Sequence, residues 1–466
     1  WNELLDIYDQ FDEDLKFLKI YIKDAIYATI ELGLYDKTKE IIESIKKRKD
    51  ILDRYEVELY ISDTISKYME NFNLKMKYDN TKKIFLQLYE HIPASVIKSK
   101  NTVLNEYEIA NSNVYLKSYP REIRLTITTK CNLKCIMCNP LNHDGKYEIS
   151  DKEFYDLLGI LPYVEVLVIQ GGEVLYYDKF DILIQEIIKN NVIVYLHTNG
   201  LLLKKEIIEK LTSCRANIVF SIDSPNKATY ESIRVGANYH DLLRNLEMFN
   251  KIRSEKSSNI AIGINMIIMK RNFHQIEDMI EFAHKYQFSN LTLFPMQGAL
   301  PNNEENIFEC ENNSEILKEL SDKREHFENL ANNHGLYLMN RLPDFKDKEN
   351  SKKNNIKKCA ENEAVNRSEN KSGNNFSLFC TAPFKKIYLD TNNRYLPHCM
   401  CFEKKPKEFN YSDIKYYNSE NSIMAKWNSD LMALYRMKIL ENQQNLICSE
   451  DCINNKHISG KDILNL

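Results

Sequence analysis

The sequence predicts an α/β protein: an open (βα)6 barrel with an all-helical domain before it and a small cysteine-bearing domain after it. Three observations predict this. Short β-rich runs alternate with amphipathic stretches across 120–297. The preceding region is helical in pattern and nearly free of glycine. Five of the eleven cysteines lie between Cys380 and Cys452. At 466 residues the chain has room for two or three domains.

The β-rich runs fall at 123–128, 164–170, 192–197, 218–222, 262–268 and 291–294. Helical stretches at 180–188, 242–252 and 276–286 lie between them. Strand–helix units in series imply parallel strands joined by right-handed crossovers. A sheet of that kind curls into a barrel, and its chemistry collects at the C-terminal strand ends. The barrel is assigned to 116–300.

Before it, 1–115 reads as a helical domain. Gly33 is the sole glycine before Gly145, and apolar residues such as Ile41, Ile42 and Ile45 recur at helical spacing. After it, 301–375 reads as a helix plus a linker, because 343–375 is dominated by Asn, Lys, Glu and Ser. The segment 376–466 regains aromatic and apolar residues and carries five cysteines. It is expected to be a small domain that needs metal to fold.

Charge and hydropathy narrow the function classes. The net charge is −4, which offers no broad basic surface for nucleic acid or anionic membrane. No apolar run approaches the ~20 residues of a membrane span. An odd number of unevenly spaced cysteines in a long chain argues against a small disulfide scaffold.

The first predicted strand runs into Cys131-Asn-Leu-Lys-Cys135-Ile-Met-Cys138. Three thiolates on one short loop can hold three irons of a [4Fe–4S] cluster and leave the fourth open to a ligand. A zinc knuckle completed from elsewhere, for instance by His143, is the competing reading. With this loop directly after a first strand, the chain resembles the radical S-adenosylmethionine (radical SAM) superfamily. The strand-two end, Gln170-Gly171-Gly172-Glu173, and the strand-four end, Ser221-Ile-Asp223-Ser224, extend the resemblance.

The resemblance implies a [4Fe–4S] cluster on Cys131, Cys135 and Cys138, with S-adenosylmethionine on its open iron. Met137 would touch the adenine, where the family usually has an aromatic residue. Gly171, Gly172 and Glu173 would hold the methionyl amino group. Ser221, Asp223, Arg234 and Asn265 would face the ribose and the carboxylate, although Asp223 alternatively faces the substrate. Thr198, Asn199 and Gly200 are further edge candidates. No catalytic acid, base or hydrogen donor is identified.

The C-terminal segment reads Cys380-Thr-Ala-Pro383-Phe, then Tyr395-Leu-Pro397-His398-Cys399-Met-Cys401, then Trp427, Arg436, Cys448 and Cys452. It resembles the SPASM/twitch domains of radical SAM enzymes. One auxiliary [4Fe–4S] cluster on Cys380, Cys399, Cys448 and Cys452 is implied, with Cys401 as the alternative to Cys399. A full SPASM domain would need a further cysteine run that is absent here. Structural zinc is the competing reading for this group. The resemblance further implies a cytoplasmic oxidoreductase or maturase that draws electrons from flavodoxin or ferredoxin and acts on a peptide, protein or carbohydrate. The reading from a different class is a non-catalytic helical binding protein with structural zinc.

Overall fold

The computed structural model describes residues 97–138, 145–258, 260–296, 303–308, 313–343, 382–390, 395–397 and 422–440. In chain order the elements are α1 (Ile97–Ala110), β1 (Glu122–Thr126), α2 (Asp151–Ile160), β2 (Val166–Gln170), α3 (Phe180–Lys189), β3 (Ile193–Thr198), α4 (Lys205–Leu211) and β4 (Ala216–Ser221). There follow α5 (Lys227–Ile233), α6 (Tyr239–Glu255), β5 (Ala261–Ile268), α7 (Ile276–Lys285), β6 (Asn290–Pro295), α8 (Ser314–Asp322), α9 (Arg324–Asn333) and β7 (Tyr337–Asn340). The C-terminal part adds the single turn α10 (Ala382–Lys385), β8 (Lys386–Leu389), β9 (Tyr395–Pro397), α11 (Ile423–Trp427) and α12 (Asp430–Leu440).

All strands share one sheet in the order β7-β6-β5-β4-β3-β2-β1-β8-β9. Every neighbouring pair is parallel except β8 and β9, which form an antiparallel hairpin. The sheet is therefore parallel α/β, and each of the six predicted runs is a strand within two residues of its predicted limits. Three strands lie outside the six predicted runs. β7 extends the sheet beyond β6, and β8 and β9 add to the far side of β1.

Local chemistry sets the crossovers. Ser150 and Glu153 close a capping box at the start of α2. Asn226 and Asn238 cap α5 and α6 by accepting backbone N–H bonds. α3 buries Phe180, Leu183, Ile184 and Ile187, the three-and-four spacing of one helical face.

One core runs from Ile109 through the strands to Ile387, Trp427 and Ile439. Among the described residues, α1, the strands and the C-terminal elements thus share this packing. Asn105 on α1 donates to Phe384 O at 2.7 Å and to Ser118 Oγ at 3.0 Å. Glu106 pairs with both Arg121 and Lys385. Indole Nε1 of Trp427 donates to Ser118 O at 2.9 Å. Arg436 lies 4.3 Å over the Trp427 ring and donates to Pro383 O, Val114 O and Trp427 O. Residues 1–96 of the predicted helical domain, 344–375 of the predicted linker, His143 and the cysteines 310, 359, 380, 399, 401, 448 and 452 lie outside the described residues. Among the described residues no helix is long and apolar enough to cross a membrane.

Candidate functional site

The cysteine loop leaves β1 through Ile127-Thr128-Thr129-Lys130 and is pinned on its far side by the end of α5. Lys134 N–H donates to Val235 O at 2.9 Å, and Ile136 N–H to Ile233 O at 3.0 Å. Met137 packs with Ile233, Met269 and Met296 in a small apolar cluster below the loop. Cys131, Cys135 and Cys138 are half-buried free thiols. All three border one cavity of about 380 Å³ at the C-terminal ends of the strands.

The β2 end closes on the start of this loop. Gly172 N–H donates to Thr128 O and Glu173 N–H to Lys130 O, each at 2.8 Å. A Cβ on Gly171 would stand 2.3 Å from Thr128 O, and one on Gly172 would stand 2.3 Å from Lys130 O. Gly171 also has φ +150°, which side chains rarely adopt. The close approach that requires glycine is therefore to the protein's own β1 loop, while both glycines still border the cavity. Glu173 lies behind them, 1% exposed, and does not line it. Its carboxylate accepts from Thr198 Oγ1 at 2.8 Å, Asn199 N–H at 2.7 Å and Leu175 N–H at 3.3 Å. Burial pushes this carboxyl's pKa up, against three donors that favour the ionised form. Through these bonds Glu173 fixes Thr198 and Asn199, which do border the cavity.

At the β4 end Ser221 faces the cavity. Asp223 is fully buried; its Oδ1 accepts from Ile267 N–H at 2.9 Å and its Oδ2 meets Arg234 Nη2 at 2.7 Å. Arg234 Nη1 points at Cys135 Sγ, 3.8 Å away, and the guanidinium borders the cavity. Burial raises the pKa of Asp223 and Arg234 opposes that shift. Asn265 sits opposite Ser221 in the β4–β5 register and is not among the residues bordering the cavity.

A further wall was missed by sequence reasoning. Thr126, Gln170, His197, Tyr388 and Asp390 also border the cavity. Tyr388 Oη lies 3.1 Å from Thr126 Oγ1, accepts from Gln170 Nε2 at 2.8 Å and donates to Asp390 Oδ1 at 3.3 Å. Burial, then Asp390, raises the Tyr388 pKa. Burial, then Arg124, lowers His197 to about 4, so it is neutral at pH 7. Gln170 and His197 stand directly before residues that were singled out, so strand alternation offered a signal for them. Tyr388 and Asp390 gave none, because only the pairing of β8 with β1 brings them here.

Among the described residues no three His, Cys, Asp or Glu side chains group to hold a metal ion. Three soft sulfur donors bordering a cavity of this size instead fit a cluster of several irons.

Residues 125–283 match the family model of the Radical SAM superfamily. The chain is 27% identical over 195 residues to the GTP 3',8-cyclase of Synechocystis sp., covering 40% of this chain and 58% of that protein. It is 30% identical over 183 residues to the GTP 3',8-cyclase of Clostridium botulinum, covering 36% and 54%. Against the tungsten-containing aldehyde ferredoxin oxidoreductase cofactor-modifying protein of Pyrococcus furiosus it is 25% identical over 170 residues, covering 34% and 46%. The chain thus spans about half the length of these curated relatives. Among solved structures, Streptococcus suis SuiB shares the fold at TM-score 0.51 and 17% identity, covering 86% of this chain and 83% of that one. SuiB bound to S-adenosylmethionine gives 0.50 and 18%, covering 82% and 80%.

Proposed function

We propose that this chain is a radical SAM enzyme in which Cys131, Cys135 and Cys138 hold a [4Fe–4S] cluster and the cavity beside them takes S-adenosylmethionine. The observation that carries the reading is that all three cysteines border one cavity with the glycine pair, Ser221 and Arg234, inside the segment matching the superfamily. Held there, such a cluster would supply the electron for reductive cleavage of S-adenosylmethionine, and the cofactor would supply the radical for hydrogen abstraction from substrate.

The chain's own residues bind and orient. Met137, which borders the cavity, is assigned to flank the adenine. The Gly171–Gly172 edge and Thr198 receive the methionyl amine, with Glu173 fixing that edge from behind. Ser221 and Arg234 serve the ribose and the carboxylate. Asp223 keeps Arg234 charged and in place, and Asn265 supports the β4 edge.

The C-terminal cysteines Cys380, Cys399, Cys448 and Cys452 are proposed to hold one auxiliary [4Fe–4S] cluster. Support comes from the β8–β9 hairpin, which begins six residues after Cys380 and ends two residues before Cys399. The substrate is proposed to be a peptide, protein or carbohydrate and the electron donor flavodoxin or ferredoxin. Residues 1–96 are proposed to engage substrate or partner. A zinc scaffold is not favoured, because it gives no account of the cavity beside the cysteines.

The test is direct. Protein purified and reconstituted without oxygen, then reduced with dithionite, is expected to convert S-adenosylmethionine into 5'-deoxyadenosine and methionine. Replacing all three loop cysteines with alanine is expected to abolish both products. Undiminished product in the triple variant overturns the assignment.

A further inference from the structure

We propose that Tyr388 and Asp390 anchor the substrate, and that the group they take is an uncharged or cationic hydrogen-bond donor, an amine or a hydroxyl, rather than a phosphate or carboxylate. The proposal rests on the reading above, since it assigns the rest of the cavity to the cofactor.

The argument starts from the pairing of β8 with β1, which sets Leu125 opposite Leu389 and brings Asp390 beside Thr126. Asp390 Oδ1 accepts from Tyr388 Oη at 3.3 Å and from Thr126 Oγ1 at 3.4 Å. Gln170 Nε2 holds the same phenol at 2.8 Å. Residues of three strands therefore fix the direction of one carboxylate and one hydroxyl, the preorganisation that a specific polar contact needs. This cluster borders the same cavity as the cysteine loop, and the glycine pair follows Gln170 directly.

Charge decides the kind of group. Among the described residues bordering the cavity, Asp390 is the only carboxylate and Arg234 the only Lys or Arg. Arg234 is already paired with Asp223 at 2.7 Å. His197, the remaining basic side chain there, is neutral at pH 7. Arg124 lies on β1 two residues before Thr126, acts on His197 and Tyr388 through its charge, and does not border the cavity. Among the described residues that border the cavity, a phosphate at this wall would thus meet a carboxylate, with the one arginine there already engaged by Asp223. An ammonium or hydroxyl would meet a fixed acceptor, and a charge-assisted bond is the stronger of the two.

The experiment uses the full-length, iron-loaded protein with S-adenosylmethionine bound, and reads saturation-transfer NMR from four probes. These are lysine, serine and glutamate, each capped as the N-acetyl methylamide, and GTP. The lysine and serine probes are expected to show transfer, the glutamate probe and GTP none. Asp390→Asn is expected to weaken the lysine probe about tenfold, and Tyr388→Phe to weaken it less. Iron content and far-UV circular dichroism identify any variant that has not folded, and the second variant then stands in for the first. Binding of GTP or the glutamate probe overturns the proposal, as does silence from the lysine and serine probes or unchanged affinity in both variants. Uncoupled 5'-deoxyadenosine formation by the unmodified protein is measured alongside. Its absence counts against the radical SAM reading and leaves the charge selection of the wall as a separate result.

Discussion

Asp223 and Arg234 are both buried, so neither can regain water if the other is lost. Removing one partner of such a pair costs about 3–5 kcal/mol, because an uncompensated charge stays behind. Asp223→Ala is accordingly expected to lower stability by that amount, read from the shift of the denaturant midpoint. A loss below about 1 kcal/mol, as for a surface pair, refutes it. Glu173 makes a second residue-scale prediction. Glutamine in its place offers one acceptor oxygen where two now serve three donors. Glu173→Gln should weaken S-adenosylmethionine binding by about one to two orders of magnitude while the iron content holds. Calorimetric titration with equal affinities rules this out. The three cysteines and the glycine pair were legible in the sequence because short spacing alone groups them. What the glycines are for was not legible, since the carbonyls they accommodate belong to Thr128 and Lys130, about forty residues earlier in the chain.

At the scale of elements, the strands of β1 to β6 and their helices could be read because each carries its own apolar period. β7 and β8 are four-residue strands, and β9 has three residues, too few to show alternation. Their identity comes from the partner strand. The same holds for α11 and α12, whose importance lies in what they touch. Trp427 is fully buried against Ser118 and Arg436, and Lys426 meets Glu153 at 2.6 Å in the interior. Trp427→Ala is expected to destabilise the whole fold by about 3–5 kcal/mol, with one unfolding transition shifted as a unit. Melting of the C-terminal elements alone, with the rest of the sheet unaffected, goes against the shared core.

For the whole molecule, the sequence divided the chain by changes in composition, and the structure joins the described parts in one sheet and one core. Composition registers where apolar content falls, as after residue 343, but not which segments return to the same sheet. The consequence for deletions is specific. A chain lacking 1–96 should fold and retain uncoupled 5'-deoxyadenosine formation. A chain lacking 1–115 loses Asn105, Glu106 and the other contacts of α1 and should lose helical signal in circular dichroism. Equal behaviour of the two truncations contradicts this. Iron analysis tests the C-terminal cysteines independently. About eight irons per chain are expected, falling to about four in Cys448→Ala with Cys452→Ala. Eight in that variant, or zinc in the unmodified protein, speaks against the auxiliary cluster.

The strand that completes the outer side of β1 arrives late. Thr126 and Asp390, which meet across it, are 264 residues apart, and a ribosome needs roughly 13–53 s to make that length of chain. Throughout that interval the nascent sheet displays the N–H and C=O groups of β1 along an open edge, the template on which strands of other molecules can pair. Aggregation during synthesis should therefore depend on how soon β8 docks. Loss of the C-terminal quarter, by a stop codon or a protease, would keep that edge open for the life of the protein.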